Sequence, residues 1–427
     1  LFSLLKDRRL LILWVGEGIN SFGNSLTFIA LAWFLYRLYP DQPALSGSVI
    51  GAWTVSMLIG TLGLASFTDV WDRRRTLLVA NALQGVWIAL IPVLYGLGHL
   101  NFTLLVVIGA LMGFTGSVIF PAQQASLPTF VPKERVQALQ ALFNLTWTTS
   151  GLVAPVAAGL LVAGIGAVNV MWINTATFAV AVAAYALVRF PRVERSGDHD
   201  ERGLSAWWAR TRYGFEFVRA RPALWATLLG LASVNFAMEP YTAVFLPRIA
   251  DRLMQGVDLP GAFGWIRADS RGAIGVGLLG SVLAVSQLVM VIWMGRRVSH
   301  HPLEWIALGC AVPALCIVGV AFAPSLGVAL ALAVVMGAAF GPLNVMVGTL
   351  FAQLTPEDVR GRVYSARILV GQGLRPLGVS LAGVLVGLVG LAPTVGVLGV
   401  FAAILTALGY LRARGSETSA PDPLPAD

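Results

Sequence analysis

Long apolar runs, each about 20 residues or more, alternate along the chain with short stretches carrying Arg, Asp, Gly or Pro. A helix rises about 1.5 Å per residue, so about 20 apolar residues cross the ~30 Å hydrocarbon core of a bilayer. The runs predict twelve spanning helices at about 10–36, 45–66, 76–97, 102–126, 137–163, 168–188, 223–246, 273–295, 303–322, 325–350, 364–388 and 391–411. The longest polar stretch, 189–222, divides them six and six. The expected fold is an all-α membrane protein with two pseudo-symmetric six-helix bundles, 1–188 and 223–411, a 189–222 linker, and a disordered tail over 412–427.

Within the linker, 204–218 mixes Trp207, Trp208, Tyr213 and Phe215 with Arg210 and Arg212, the pattern of a helix lying along the inner membrane surface. Residues 247–272 form the other long connection, expected to cap part of the outer side. The halves read as a repeat. Phe120-Pro121 and Gly341-Pro342 are each followed 34 residues later by an intramembrane proline, Pro155 and Pro376. The same offset of 221 carries Arg75 onto Arg296, and 222 carries Glu17 onto Glu239. Duplicated bundles of this kind place a substrate site near the midplane between the repeats.

Composition agrees with this class. Of 427 residues, 57% are hydrophobic and 12% charged, with a mean hydropathy of +0.78. A soluble domain carries about 25% charged residues, so a cytosolic enzyme and a disordered chain are both excluded. Net charge is +8, almost all of it Arg, with Lys only at Lys6 and Lys133. If both termini are cytoplasmic, inner segments hold 23 of the 29 Lys and Arg, and the outer side holds Arg37, Arg248, Arg252, Arg267 and Arg271. The positive-inside rule fixes that orientation. Nucleic acid is excluded as a partner, since no polar domain exists to carry a basic face. The first apolar stretch is long enough to remain as a span, so no cleavable signal is expected.

Arg375 sits inside the eleventh span, about eight residues beyond Arg367, and intramembrane charges are costly enough to mark function. Glu17 lies about 12 Å along a helix from Arg9. With Asn20, Ser21 and Asn24 it forms a stripe on one helix face, expected to look into a central cavity. Asn235, Glu239 and Thr242 make a similar stripe on the seventh span, and Gln137, Gln140, Asn144 and Thr148 another on the fifth. Gln372 and Arg375 share a face of the eleventh; Gln287, Asn344 and Thr349 are isolated candidates on the eighth and tenth. Trp53, Trp147 and Tyr241 are candidate cavity walls for a large apolar substrate. Glu17 and Arg375 have similar depth, which suggests a pair across the halves for which substrate or proton competes. A static ion pair, or an Arg375 satisfied by carbonyls, is the structural alternative.

Enzymatic machinery is missing. Neither lysine follows a glycine, so there is no phosphate-binding G-x-x-x-x-G-K-[ST] loop. His99, His199, His300 and His301 fall in loops without ligand-spaced partners, and Cys310 and Cys316 point to different faces of one helix. No metal or cofactor is expected.

Thr68-Asp69-Val70-Trp71-Asp72-Arg73-Arg74-Arg75 resembles the acidic-then-basic loop signature of the major facilitator superfamily. Pro356-Glu357-Asp358-Val359-Arg360-Gly361-Arg362-Val363 resembles the corresponding loop of its enterobactin-exporter and macrolide-efflux branch. Ser150, Ala154, Pro155, Ala158 and Gly159 fall at the small-residue and proline positions of the fifth-helix motif linked with exporters. Ala65 and Val70 depart from the loop pattern, and the 102–126 span lacks the Arg of many proton-driven drug antiporters. The resemblance implies a bacterial cytoplasmic-membrane exporter of lipophilic or amphiphilic molecules, of drug or siderophore type, working as a monomer by proton antiport and alternating access. It makes Asp69, Asp72, Arg73, Arg74, Arg75, Arg360 and Arg362 an inner gate. A carboxylate at a helix end can hold such a gate by pairing with Arg or with a neighbouring helix N-terminus. An uncoupled facilitator or importer of an anionic solute, and a lipid-translocating protein, remain the alternatives.

Overall fold

The computed structural model describes residues 2–68, 72–191, 204–255, 257, 270–295, 301–356 and 359–416, and every regular element among them is helical. In chain order these are α1 (Arg8–Leu38), α2 (Pro43–Thr68), α3 (Arg73–Gly96), α4 (Phe102–Gly116), α5 (Ile119–Ser126), α6 (Val136–Ile165), α7 (Ala167–Leu187) and α8 (Leu204–Arg219). The second half continues with α9 (Pro222–Pro240), α10 (Leu246–Met254), α11 (Arg271–Gly295), α12 (Pro302–Ala321), α13 (Leu326–Leu354), α14 (Arg360–Gly373), α15 (Arg375–Val389) and α16 (Leu391–Ser416).

Sequence chemistry explains the helix ends. Asp7 caps α1 by accepting from the Arg9 amide at 2.9 Å, and the Arg9 guanidinium beside it holds the Asp7 carboxyl below its usual value. Asp72 caps α3 through the Arg75 amide at 2.8 Å, and Asn101 caps α4 through Leu104 at 3.0 Å. Gly166 and Gly390, at φ +87° and +89°, each close one helix and open the next with no further residue between. That left-handed backbone suits glycine alone without strain.

Three of the expected spans are not single straight helices. The fourth breaks between α4 and α5, and the eleventh breaks at Leu374, where Pro376 can supply no amide for the ladder. The seventh runs beyond its expected end through a π-helical turn, Tyr241–Phe245, directly after Pro240, and into α10. Residues 247–254 are therefore helix rather than the start of an outer loop; 258–269 lie outside the described residues. Similarly α16 continues to Ser416, so the chain from Arg412 to Ser416 is helical, and 417–427 lie outside the described residues.

Ten helical stretches among the described residues are long and apolar enough to cross a membrane. Neither α1 nor α9 is among them. These two carry the Glu17, Asn20, Asn24 and Asn235, Glu239 stripes, whose polar groups depress the hydropathy of their helices. Large aliphatic side chains such as Val79, Ile59, Leu377 and Leu388 stand exposed on the helix exteriors, as a lipid solvent allows.

The buried core is divided at one end and continuous at the other. At the end where α1 begins and α16 finishes, here the basic end, Leu10, Leu77, Leu139, Phe143 and Tyr185 form one cluster. Phe217, Leu224, Met294, Phe351 and Val363 form a separate one. Toward the far end a single cluster takes in Trp33, Ile50, Ala154, Ala158, Tyr241, Ala273, Val379 and Ala382 from both halves of the chain.

Two helix crossings make that far-end contact. Where α2 meets α15, a Cβ on Gly47 would lie 2.8 Å from the Val379 carbonyl oxygen and 3.0 Å from the Gly383 Cα. Where α6 meets α11, a Cβ on Gly159 would lie 2.7 Å from the Ala273 carbonyl and 3.0 Å from the Gly277 Cα. Only α-carbons without a side chain fit so close an approach of backbones. Overpacking such a contact costs about 1–3 kcal/mol. Gly383→Val should therefore weaken the closed far end by roughly 5- to 150-fold in population. Spin labels at exposed Asp41 and Val389 should report longer distances in the variant; an unchanged distribution would mean that the glycine crossing does not hold this end shut.

Candidate functional site

Glu17 is buried, and among the described residues every partner it has comes from the first half of the chain. Gln123 of α5 donates its Nε2 to Oε2 at 2.5 Å, and the Trp147 indole of α6 donates to Oε1 at 3.2 Å. Tyr185 of α7 donates its hydroxyl to Oε2 at 3.3 Å and accepts from the Gln123 amide at 2.8 Å. Four helices thus meet on one carboxyl group, and no cation lies among these partners. The cage corrects two expectations. Glu17 does not pair with Arg375, and its stripe does not point into an open cavity: Asn20 is buried too and donates to Asn81 of α3 at 3.3 Å. A helix face narrower than the stripe explains this, because Glu17 and Asn20 turn toward α3, α5, α6 and α7 while Asn24 stays exposed, accepting from Asn174 at 3.4 Å.

Arg375 finds its partners within the second half. Its Nε and Nη2 donate to the Asn235 Oδ1 at 3.2 and 2.9 Å, and Nη1 lies 3.7 Å from the Glu239 carboxylate. Asn235 uses its amide to bind the Gly371 carbonyl at 2.9 Å, in the last turn of α14. The break at Leu374 sets this geometry, since it brings the end of α14 and the start of α15 against the same stripe of α9. The Arg375 side chain remains 36% exposed. It opens onto a cavity of about 470 Å³ lined also by Asn235, Gln287, Met238, Leu283, Phe340, Tyr364 and Arg367.

The other sequence candidates divide between wall and core. Asn235, Gln287 and Arg375 line the cavity. Trp147 serves the Glu17 cage, Trp53 packs half-buried against the Phe28 ring at 5.9 Å, and Tyr241 is fully buried inside the π-helical turn, so it is no cavity wall. Asn144 and Thr148 are exposed on α6. Asp69 lies outside the described residues, as do the side chains of Asn344, Gln372, Arg360 and Arg362. Arg73 donates to the Ala125 carbonyl at 2.7 Å, and Arg74 to the Tyr185 and Ala186 carbonyls at 3.0 and 2.5 Å. Those carbonyls end α5 and α7, where a helix C-terminus favours cations. In this structure the two arginines bind helix ends of their own half, and Asp72 caps their helix, so none of the three bridges the halves.

Sequence reading missed Gln123 and Tyr185, both uncharged and both inside apolar runs. A glutamine near the end of an otherwise apolar span was the available signal, since a buried amide needs partners. It also missed a far-end contact between the halves, where the Tyr36 hydroxyl donates to Asp251 at 2.8 Å and the Arg248 guanidinium sits 5.1 Å from the Tyr36 ring.

Solved structures of the same overall shape are transporters. A bacterial homologue of the human lysosomal transporter Spinster, in an inward-facing and unoccupied conformation, superposes with a TM-score of 0.73, 15% identity and 98% of both chains covered. A bacterial homologue of the iron transporter ferroportin, in an inward-facing state, gives 0.69 at 15% identity, over 96% of this chain and 98% of its own. At these identities the likeness is one of fold. The sequence profile of the Major Facilitator Superfamily matches residues 13–374, and the chain belongs to that superfamily. Among named relatives, the multidrug efflux pump Tap of Mycolicibacterium fortuitum is 28% identical over 389 residues, 87% of this chain and 88% of its own. Tap of Mycobacterium tuberculosis is 28% identical over 386 residues, with 87% and 85% covered. The uncharacterised MFS-type transporter YfiS of Bacillus subtilis matches 58% of this chain and 57% of its own at 25% identity.

Asn235 joins α9, α14 and α15 through one side chain, so its loss strands both Arg375 and the Gly371 carbonyl. Asn235→Leu should lower stability by about 1–3 kcal/mol, read as a lower melting temperature of the purified protein in detergent. An unchanged melting temperature would mean that water or lipid headgroups already serve these groups.

Proposed function

We propose that this chain exports lipophilic or amphiphilic small molecules by proton antiport and alternating access. The reading takes twelve spans as two six-helix bundles, 1–188 and 223–411, in a bacterial cytoplasmic membrane. Both termini are cytoplasmic, the 189–222 linker runs between the bundles, and the unit is a monomer among membrane lipids. The observation that carries it is the cavity beside Arg375: apolar and aromatic walls from Met238, Leu283, Phe340 and Tyr364 surround a few polar groups, Asn235 and Gln287 among them. A site of that make-up suits a bulky amphiphile, with polar groups fixing orientation. Relatives named multidrug efflux pumps support the direction of transport.

The division of the core supports alternating access. One end is sealed across the halves and the basic end is split, which is the arrangement of one of two rocking states. With the basic end cytoplasmic, this state loads from inside. Glu17 is the proposed proton carrier. Ionised, its carboxylate accepts all three donors of its cage. Protonated, it carries a donor itself, and Gln123 or Tyr185 must turn to accept. Because those partners sit on α5, α6 and α7, a proton gained or lost there changes how four helices hold together. Glu239 tunes the charge of Arg375 beside the cavity, and Arg73 to Arg75, Asp69 and Asp72 serve the gate when the basic end closes.

Proteoliposomes loaded at acid pH and followed with a pH dye test this reading against a panel of lipophilic drugs, siderophores and lysolipids. Substrate-triggered proton release is expected from the wild type, and loss of that release from Glu17→Gln at unchanged expression and melting temperature. A wild-type rate in Glu17→Gln would remove Glu17 from the coupling. One observation favours a second reading: Arg367 joins Arg375 in the cavity wall, and Glu239 answers only the latter. An uncoupled carrier of anionic solutes would show tracer flux without proton release, lost in Arg375→Ala and kept in Glu17→Gln.

A further inference from the structure

A cavity of about 410 Å³ lies at the basic end, away from Arg375, between the linker helix and the second half. Phe215 and Arg219 of α8, Trp225 and Leu229 of α9, and Leu408 and Arg412 of α16 line it. Its two ends differ in chemistry. Arg219 and Arg412 are both exposed, and among the described residues no carboxylate pairs with either guanidinium. Glu216, the acidic neighbour on α8, is held by Arg212 at 2.9 Å, so it leaves Arg219 uncompensated. Arg221, two residues on, stacks over the Phe217 ring at 3.6 Å and turns away from the cavity lining.

Leu408 is the apolar end of the α16 lining, and from it Ile404, Phe401 and Val397, outside the cavity itself, are exposed and recur at helical spacing along one face of α16. From Leu408 to Val397 the face extends about 16 Å, the depth of one leaflet. Trp225, packed edge-on against Phe215 at 5.4 Å, stands between the charged and apolar parts, the level at which indoles collect in membranes. Two cations with no carboxylate partner among the described residues, beside an apolar strip, match a molecule with an anionic head and long apolar tails.

We propose that this groove binds an anionic phospholipid of the leaflet at the basic end, its phosphate between Arg219 and Arg412 and its tails along α16. The lipid would fasten α8 to α9 and α16, making the linker helix part of the membrane surface. A zwitterionic lipid would bring its own cation against the two arginines and bind less well. Free phosphate lacks the tails, which supply the apolar contact with Leu408 and Trp225.

Native mass spectrometry of the purified full chain, titrated with dioleoylphosphatidylglycerol or dioleoylphosphatidylcholine, tests this. The anionic lipid should be retained about tenfold more tightly. Each basic residue near a membrane surface contributes roughly a fivefold factor, so Arg219→Gln with Arg412→Gln should weaken phosphatidylglycerol binding by about 30-fold. Arg414→Gln, outside the lining, should leave it unchanged, and millimolar inorganic phosphate should not displace the lipid. Should the double variant not fold, Leu408→Glu keeps both arginines but sets a carboxylate four residues from Arg412, and is expected to bring phosphatidylglycerol retention down to that of phosphatidylcholine. Equal retention of the two lipids would overturn the proposal. So would wild-type binding by the substituted chains, displacement by phosphate, or a second copy of the chain covering the groove.

Discussion

Close approach of backbones at the far end is the contact on which the rest of the arrangement depends. Gly47 with Gly383 and Gly159 with Gly277 let α2 and α6 lie almost in atomic contact with α15 and α11. In a bilayer the lipid tails are as apolar as leucine, so helices gain from each other chiefly by packing tightly. Such a contact has a short range and ends where the side chains grow. Away from these crossings the halves separate, and the core becomes two clusters instead of one. A joint built from small residues can be strong and still part cleanly, because at the two glycine crossings themselves no large side chain interlocks.

The two intramembrane acids solve the same desolvation problem in different ways. Glu239 is answered by a cation at 3.7 Å, and Asn235 holds that cation from the other side. Glu17 has only neutral donors. A carboxylate beside a fixed cation has a counter-charge at hand, whereas one held by neutral donors alone has its lone pairs satisfied but no charge to balance it. The first arrangement suits fixing charge beside a cavity, and the second suits a group that exchanges a proton. Removing either partner of the charged pair would leave an uncompensated ion, while the neutral cage can rearrange around an added proton.

Arginine does several jobs at the basic end, and only some of them face a partner outside the chain. Arg73 and Arg74 are spent on helix-terminal carbonyls, and Arg221 and Arg367 lie against aromatic rings. Arg219 and Arg412 line the cavity between α8, α9 and α16. A count of basic residues therefore does not by itself say what each one binds in this state. Their geometry separates them by use, since a planar guanidinium can serve carbonyls, rings or phosphates with equal ease.

How much of this was legible in the chain itself follows from what each feature depends on. Helix positions came through within a few residues because burial in lipid demands long apolar runs, and the caps at Asp7, Asp72 and Asn101 act on neighbours two or three residues away. The polar stripes on α1 and α9 were visible for the same local reason, and so was the presence of a charged group at Arg375. Partner choice was not legible. Equal depth along two helices suggested that Glu17 meets Arg375, yet depth fixes one coordinate and says nothing of rotation or of which helix lies opposite. Gln123 and Tyr185 looked like ordinary members of apolar runs until α5 and α7 were folded against α1. Tyr241 looked like a cavity wall because it follows Pro240 in a polar stripe, but the π-helical turn rotates it into the core. Sequence by itself determined the membrane-spanning class, the helices and the supply of costly polar groups. Only tertiary structure decided which of those groups meet, because contacts between residues 100 or more apart in the chain depend on helix rotation and crossing, which no local pattern encodes.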